Sequence, residues 1–253
     1  MNPVNTLSRR RATLAMACAA GLGLAAPMVL AQAPADGPLK LIVPFTPGTG
    51  IDLIARTVGP RLAERLKRPV VVENRAGASG NIGTEAVVRA PADGSTLLVS
   101  VNTLVMNRSL YPQLGFDPVK DLAPIALTSW GQLLLVTHPR SGMASATDLV
   151  AAARKAPGKL NYASPGVGTP HHLSMELFKT TAQVFLTHIP YRGTGPAMTD
   201  LLGGQVDAMF LPIHVALPQV RAGKLVALGI GSDKRHPLLP DVPTLAEARA
   251  GNV

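Results

Sequence analysis

Short β-branched or leucine-rich runs alternate with helical periodicity along most of the chain, and this alternation restricts the fold more than any single motif. Ile51, Ile54, Val58 and Leu62 recur at three- and four-residue steps, as in a helix buried on one face that stops before Pro69. Such alternation is typical of α/β proteins with mostly parallel sheets covered by helices. The predicted strands are residues 39–45, 70–73, 97–100, 133–136, 160–163, 185–189, 206–210 and 225–230.

Two of the predicted helices follow Pro-Gly-x-Gly turns, one in each half of the chain. The first turn lies in V-P-F-T-P-G-T-G-I-D (residues 43–52) and the second in Y-A-S-P-G-V-G-T-P-H-H-L (residues 162–173). Glycine-rich strand-to-helix turns commonly hold an anion, because unpaired N–H groups and the helix dipole converge at a helix N-terminus. The two turns could face each other. Further helices are predicted at 146–156 and 197–202.

Neither turn matches a nucleotide-binding loop. No lysine follows the glycines, and no third glycine completes a dinucleotide fingerprint. G-A-S-G-N at residues 77–81 lacks the last glycine of a serine nucleophile elbow. Ser164 and His172 can still be imagined as a nucleophile and base, so a serine hydrolase is an alternative. His172 and Glu176 are one helical turn apart, which more commonly indicates an exposed polar pair than a metal site.

The net charge of +9 is scattered outside the N-terminus, and aromatic residues make up only 4% of the chain. No lysine and arginine stripe interleaves with aromatics, so no nucleic-acid partner is expected. The remaining interpretation is that the chain binds a small anion and catalyses no reaction on it. Arg192, which follows a predicted strand, is either a solvated loop charge or an anion clamp. Asp52 is expected to pair with the N-terminus of its helix.

Residues 1–31 have the pattern of a cleavable secretion signal. Arg9, Arg10 and Arg11 precede an alanine- and glycine-rich apolar stretch that ends at Ala31, after which we predict cleavage. The alternatives are an uncleaved anchor helix and, for export, either the general secretory or the twin-arginine route. The single cysteine, Cys18, lies inside this segment.

Collinear motifs between residues 38 and 248 together resemble one family, the Bug-type solute receptors of tripartite tricarboxylate transporters. The motifs are V-P-F-T-P-G-T-G-I-D-L-I-A-R, V-V-E-N-R-A-G-A-S-G-N-I-G-T, A-P-A-D-G-S-T-L-L-V-S, Y-A-S-P-G-V-G-T-P-H-H-L, I-P-Y-R-G, L-L-G-G-Q-V-D-A-M-F and L-P-D-V-P-T-L-A-E-A. Their order and number make the resemblance specific.

The resemblance implies a type II periplasmic binding protein with two α/β domains joined by hinge strands. Domain 1 would comprise residues 36–132 and 226–253, and domain 2 residues 133–225. Such a receptor closes on a small carboxylate, which could be a di- or tricarboxylate, an amino acid or an aromatic acid. It implies a monomer in the periplasm, with the membrane subunits of the transporter as partners; a role in sensing is equally compatible with the sequence.

The resemblance and the residue chemistry together suggest a ligand-binding set drawn from both turns and the strand ends around them. No catalytic residue, metal ligand or cofactor is predicted. The expected ligand-binding residues are Phe45, Thr46, Pro47, Gly48, Thr49, Ser100, Asn102, Ser164, Gly166, Gly168, Thr169, Tyr191, Arg192 and Asp207.

Two departures from the family pattern affect these expectations. Thr49 stands where the family usually has a second adjacent glycine, which narrows the pocket or adds a hydroxyl. The chain also ends at A-R-A-G-N-V, whereas family members continue well beyond this point. The sequence therefore predicts a domain 1 that is incomplete at its C-terminus, with exposed apolar faces. Besides a periplasmic serine hydrolase, a fragment that binds nothing alone is thus an alternative.

Overall fold

The structure is a computed structural model that describes residues 37–248. The predicted secretion signal over residues 1–31 lies outside the described residues. The described chain belongs to one compact unit. Within it, residues 37–131 form a first lobe around a three-stranded sheet, and residues 132–248 form a second lobe around a five-stranded sheet.

The first lobe is built on parallel strands in the order β2-β1-β3. Its core packs the apolar side of β1 against the start of helix α1 through Leu41, Val43 and Ile51. No described helix is both long and apolar enough to cross a bilayer. The elements are β1 (Leu39–Val43), α1 (Gly50–Leu66), β2 (Val70–Asn74), α2 (Asn81–Val88), β3 (Thr96–Leu98) and α3 (Thr103–Leu110).

The second lobe carries a mixed sheet in the order β6-β5-β7-β4-β8. Strands β5, β6 and β7 are parallel, whereas β4 runs antiparallel to both of its neighbours. The elements are β4 (Leu133–Thr137), α4 (Ala146–Lys155), β5 (Asn161–Ser164), α5 (Pro170–Ala182), β6 (Thr187–Pro190), α6 (Thr194–Gly203), β7 (Ala208–Pro212), α7 (Ile213–Arg221) and β8 (Val226–Gly231).

Both faces of the five-stranded sheet are covered by helices. Alternate residues of β4 point to opposite faces, so Leu135 joins the core shared with α4 and α5, while Leu134 and Val136 join the core shared with α6 and α7. The strands are consequently apolar on both sides, which explains their continuous hydrophobic runs in the sequence.

Between α3 and β4 the chain has no regular helix or strand. Several large apolar side chains in this connection are exposed: Ile125 at 76%, Leu127 at 71% and Trp130, immediately before β4, at 89%. This connection begins with the turn-rich residues 111–121, Y-P-Q-L-G-F-D-P-V-K-D.

All eight predicted strands are present, with ends shifted by a few residues, and the mostly parallel α/β architecture is confirmed. Helices α2, α3 and α7 were not predicted. Strand β8, which begins at the predicted domain boundary at residue 226, pairs with β4 in the five-stranded sheet. The division into domains at residues 133 and 226 stays a prediction.

Candidate functional site

A cavity of about 210 Å³ lies where the two lobes meet, and we call it the cleft. The first lobe lines it with segments that follow β1 and β2, and the second with segments that follow β5 and β6. Ligands of open α/β sheets bind outside the carboxyl ends of such strands. The lining residues are Phe45, Ala76, Gly77, Ala78, Ser79, Gly80, Tyr111, Pro165, Gly166, Pro190, Tyr191 and Arg192.

The first turn caps helix α1 with its own side chains. Thr49 is the N-cap and its hydroxyl accepts from the N–H of Asp52 at 3.4 Å. The Gly48 N–H donates to Oδ2 of Asp52 at 2.9 Å, so this N–H is already occupied by an internal carboxylate. The expectation that Asp52 serves the helix N-terminus is confirmed.

Two further groups hold the Asp52 carboxylate. Arg56 Nε donates to both carboxylate oxygens at 3.0 and 3.1 Å, and Asn74 Nδ2 donates to Oδ1 at 2.9 Å. Burial alone would raise the pKa of Asp52, but the hydrogen bonds from Arg56, Gly48 and Asn74 outweigh it and lower this pKa below its usual value. Asp52 is therefore a fixed anion at the start of α1.

The second turn repeats this plan with a histidine. Thr169 is the N-cap of α5, and its hydroxyl accepts from the N–H of His172 at 3.4 Å. The Gly168 N–H donates to Nδ1 of His172 at 3.2 Å, and Thr169 Oγ1 donates to the carbonyl of Gly166 at 2.7 Å. His172 must be neutral at Nδ1 to accept this bond.

His172 belongs to a cluster beneath the second turn. Its ring lies 4.3 Å from the ring of His188, which stacks on Tyr162 at 4.8 Å. Desolvation lowers the pKa of His188 to about 4, and it also lowers the pKa of His172. Tyr162 and Lys179 both donate to Oε1 of Glu176. No group of three or more His, Cys, Asp or Glu side chains in residues 37–248 could hold a metal ion.

The serine–histidine pair imagined from the sequence is not the one that forms. Ser164 Oγ lies 2.7 Å from Nε2 of His188, whereas His172 is engaged with Gly168. Ser164 also exchanges hydrogen bonds with Gly166 and is fully buried. The prediction that paired Ser164 with His172 was wrong. His172 is the third residue of a capped helix, a position from which the side chain turns back toward the backbone of its own turn.

A third loop, residues 76–80, lines the cleft and was missed as a binding element. Its residues Ala78 and Ser79 both have left-handed backbone conformations, with φ of 47° and 53°. The sequence offered a signal, since N-R-A-G-A-S-G-N follows predicted strand β2 with two glycines.

The structure brings four of the predicted binding residues to the cleft surface, two of them at adjacent positions after β6. These residues are Phe45, Gly166, Tyr191 and Arg192. Thr46 packs closely beside them, since a Cβ on Gly193 would lie 2.2 Å from its Oγ1. That hydroxyl is buried and has no hydrogen-bond partner among the described residues.

Other predicted residues flank the cleft without lining it. Pro47 and Gly48 are exposed at the tip of the first turn, and the hydroxyls of Thr49 and Thr169 are used as helix caps. Ser164, at the end of β5, and Gly168, within the second turn, are both buried. Ser100 and Asn102 follow β3 at the same sheet edge as Phe45.

Asp207 needs correction, because the structure places it away from the cleft. Its carboxylate accepts from the N–H of Asn161 at 2.8 Å, at the start of β5. Ser164 ends the same strand, roughly 10 Å away at 3.3 Å per residue. Asp207 therefore stabilises the end of the five-stranded sheet that lies opposite the cleft.

Among residues 37–248, Arg192 is the only charged side chain that lines the cleft, and no carboxylate of these residues faces it there. Arg192 is exposed and makes no ion pair or hydrogen bond with any residue from 37 to 248. Its guanidinium thus remains available to a ligand. The electrostatic character of the cleft favours an anion.

Comparison with known proteins identifies relatives over most of the chain. The model of the tripartite tricarboxylate transporter family receptor matches residues 54–253. The chain is 42% identical over 211 residues to the UPF0065 protein in the tcbD-tcbE intergenic region of a Pseudomonas species, covering 83% of this chain and 63% of that protein. It is 40% identical over 227 residues to protein BugT of Bordetella pertussis, covering 89% and 69%. The chain thus spans less than two thirds of the first relative's length.

Solved structures share the fold. MatC from Rhodopseudomonas palustris with bound malate is 33% identical with a TM-score of 0.79, over 85% of this chain and 74% of that one. A second R. palustris protein, with adipate, is 35% identical with a TM-score of 0.82, over 85% and 72%. The periplasmic binding protein BugD is 34% identical with a TM-score of 0.77, over 84% and 71%. The predicted fold class, a type II periplasmic binding protein, is confirmed.

Proposed function

Since the chain belongs to the receptor family of the tripartite tricarboxylate transporters, we propose that it is an extracytoplasmic receptor for a small carboxylate. Members of this family are periplasmic solute-binding receptors rather than enzymes. The observation that carries the proposal is the guanidinium of Arg192, which lines the cleft between the lobes and pairs with no carboxylate of residues 37–248. The bound malate and adipate of two neighbours support the same ligand class.

In this proposal Arg192 holds the carboxylate of the ligand through two parallel hydrogen bonds, the geometry that a guanidinium fork favours. The buried hydroxyl of Thr46, which lacks a partner among the described residues, supplies a further donor at the rim. Phe45, Tyr111 and Tyr191 wall the cleft and exclude water, which strengthens these polar contacts.

Closure of the lobes on the ligand is the event that a membrane partner reads. We propose that this partner is the membrane part of a tripartite tricarboxylate-type transporter, that the receptor acts as a monomer and that it acts in the periplasm after removal of residues 1–31. A sensory role would use the same closure and differ only in the partner.

The proposal is tested by thermal unfolding of the full chain against malate, adipate, citrate, glutamate and benzoate. An acid that binds only the native state raises the midpoint, by an amount equivalent to about 2.7 kcal/mol at one hundred times its Kd. Arg192→Ala should abolish the shift. The matched control is Arg61→Ala, which removes another exposed arginine, on α1 and without an ion pair in the described chain. Absence of a shift with every acid would overturn the proposal.

A second candidate, a periplasmic serine hydrolase, rests on the 2.7 Å contact of Ser164 with His188. Ser164 is fully buried and its hydroxyl is shared with the backbone of Gly166, so a substrate carbonyl has no approach to it. We propose that the chain has no catalytic activity. Turnover of p-nitrophenyl acetate that disappears in Ser164→Ala would favour the hydrolase instead.

A further inference from the structure

Among the described residues, one hydrogen bond joins the two lobes across the cleft. Ser79 Oγ, in the first lobe, donates to the carbonyl oxygen of Val167, in the second turn, at 2.6 Å. Within residues 37–248 no other hydrogen bond or ion pair connects the lobes. The contact is therefore placed where the lobes must separate for a ligand to enter or leave.

The backbone that presents Ser79 is held in an unfavourable conformation. Ala78 and Ser79 are both left-handed, with φ of 47° and 53°, between Gly77 and Gly80, which also have positive φ. A left-handed conformation is unfavourable for a non-glycine residue, so it persists only where the surroundings enforce it. Backbone strain beside a cleft indicates that the conformation is kept for the contact that the Ser79 side chain makes.

Helix α3 and the residue after it enforce this conformation. Asn107 Nδ2 donates to the carbonyl of Ser79 at 3.0 Å, and the Tyr111 hydroxyl donates to Ser79 Oγ at 3.0 Å. Because Tyr111 occupies an acceptor position of the Ser79 hydroxyl, the single proton of Ser79 is directed at Val167. The donor is thus oriented before the second lobe arrives.

The second turn is shaped to receive Ser79. A Cβ on Gly166 would lie 2.9 Å from Ser79 Oγ, closer than a real side chain allows. Glycine at this position therefore lets the turn approach near enough for the Val167 carbonyl to accept the bond. The contact therefore depends on Ser79 in the first lobe and on the absence of a side chain at Gly166 in the second.

We propose that Ser79 is a positioning residue that latches the cleft shut, and that its bond to Val167 sets the balance between the closed and open receptor. This inference rests on the proposed function, since it assigns a regulation to the same cleft. A net hydrogen bond of about 1 kcal/mol corresponds to roughly a fivefold change in the closed-to-open ratio. The ligand-free chain should already favour the closed form.

The test measures the distance between the lobes without any ligand. Spin labels are placed on the exposed positions Arg61 in α1 and Leu177 in α5, each changed to cysteine in the full chain carrying Cys18→Ser. Pulsed electron resonance then gives the distribution of distances between the labels. Ser79→Ala should move population to longer distances, with the closed-to-open ratio reduced about fivefold.

Two variants separate the hydroxyl from the backbone strain. Ser79→Gly also removes the hydroxyl but adopts the left-handed backbone easily, so a latch predicts the same shift as in Ser79→Ala. A Ser79→Gly distribution like that of the parent chain would overturn the proposal, since strain alone would then account for the alanine variant. Ser232→Ala is the matched control, because Ser232 Oγ donates to the Lys234 carbonyl at 2.6 Å within the second lobe.

Tyr111→Phe provides a variant that leaves Ser79 intact. It removes the donor that orients the Ser79 hydroxyl, so we expect a smaller shift in the same direction and an unchanged unfolding midpoint. Superimposable distributions in the Ser79 variants and the parent would overturn the latch. If the distances shift as expected while none of the five acids binds, the latch stands and the receptor function fails.

Discussion

The two glycine turns have the same local structure but opposite chemistry at one position. In both, a threonine caps the helix, and the residue three positions later accepts the N–H of the glycine that precedes the threonine. That acceptor is the carboxylate of Asp52 in the first turn and the neutral ring of His172 in the second. The shared turn sequence thus fixes the backbone geometry, whereas the third residue of the helix decides the charge at the turn.

The charge difference explains which lobe presents the cationic side of the cleft. The dipole of α1 is already balanced by Asp52, and Arg56 is committed to that carboxylate. In the second turn the Gly168 N–H donates to a neutral ring, and Arg192, which pairs with no residue from 37 to 248, stands in the same lobe. Under the proposed function, we therefore expect the carboxylate of the ligand to bind mainly to the second lobe.

The largest loss of stability should come from removing the carboxylate of Asp52, the acceptor in the first turn. Asp52→Ala leaves the Gly48 N–H, Arg56 and Asn74 without their shared partner, so the free energy of unfolding should fall by about 2–3 kcal/mol. His172→Ala should cost about 1 kcal/mol, because it removes one neutral acceptor. Urea titrations measure both, with Glu64→Ala on the exposed face of α1 as the control. Equal losses at the two turns would contradict the comparison.

The next-largest loss of stability separates backbone strain from steric crowding at the two turn glycines. Gly48 and Gly168 have nearly equal φ, 81° and 77°, but a Cβ meets nothing within 4 Å at Gly48 and lies 2.2 Å from Leu110 Cδ1 at Gly168. Gly48→Ala should cost about 1 kcal/mol of stability through strain alone. Gly168→Ala should cost more, about 2 kcal/mol, since it also pushes Leu110 of the first lobe away. The double variant Gly168→Ala with Leu110→Ala recovers the difference if crowding is its cause.

The smallest effect expected is on pH dependence, because His172 and His188 are only half-buried and solvent screens them. Their pKa values are lowered on folding, that of His188 from 6.5 to about 4, so folding favours the neutral rings. The stability they confer is complete above pH 6.5 and is lost as the pH falls toward 4. The lowered pKa of Asp52 affects stability at a lower pH, because the stability it confers is lost only as the pH falls below the unfolded value of 3.8.

Unfolding free energies between pH 7 and pH 4 check this assignment. His188→Gln should reduce the loss of stability in that interval, whereas Asp52→Asn should leave its slope unchanged. The groups that face His188 are Ser164, Tyr162, His172, Glu176 and Lys179. A slope altered by Asp52→Asn and not by His188→Gln would reverse the roles given to the two turns.

Much of the fold could be predicted from the sequence because its strands are buried on both faces. The runs that became β4 and β7 are continuous apolar segments, and α1 shows one apolar stripe over many turns. Helices α2 and α3 have eight residues each, too few for a periodic pattern to stand out, and α7 contains Pro218.

The candidate site was predictable only where local sequence determines its geometry. The two turns were found from their glycines, and Arg192 from its position after a strand. Loop 76–80 was missed because the left-handed Ala78 and Ser79 depend on Asn107 and Tyr111, which are 28 and 32 residues away from Ser79. Asp207 was misplaced because an apolar strand pattern does not say which end of the sheet a residue occupies.

The single tryptophan, Trp130, stands 89% exposed at the point where the connecting segment enters β4. An indole in that position emits as it does in water, and acrylamide reaches it freely. Any protein surface that came to rest on the segment would shift this emission to shorter wavelengths and shield it from the quencher. The chain thus carries its own optical reporter for what touches this part of the first lobe, with no background from a second indole.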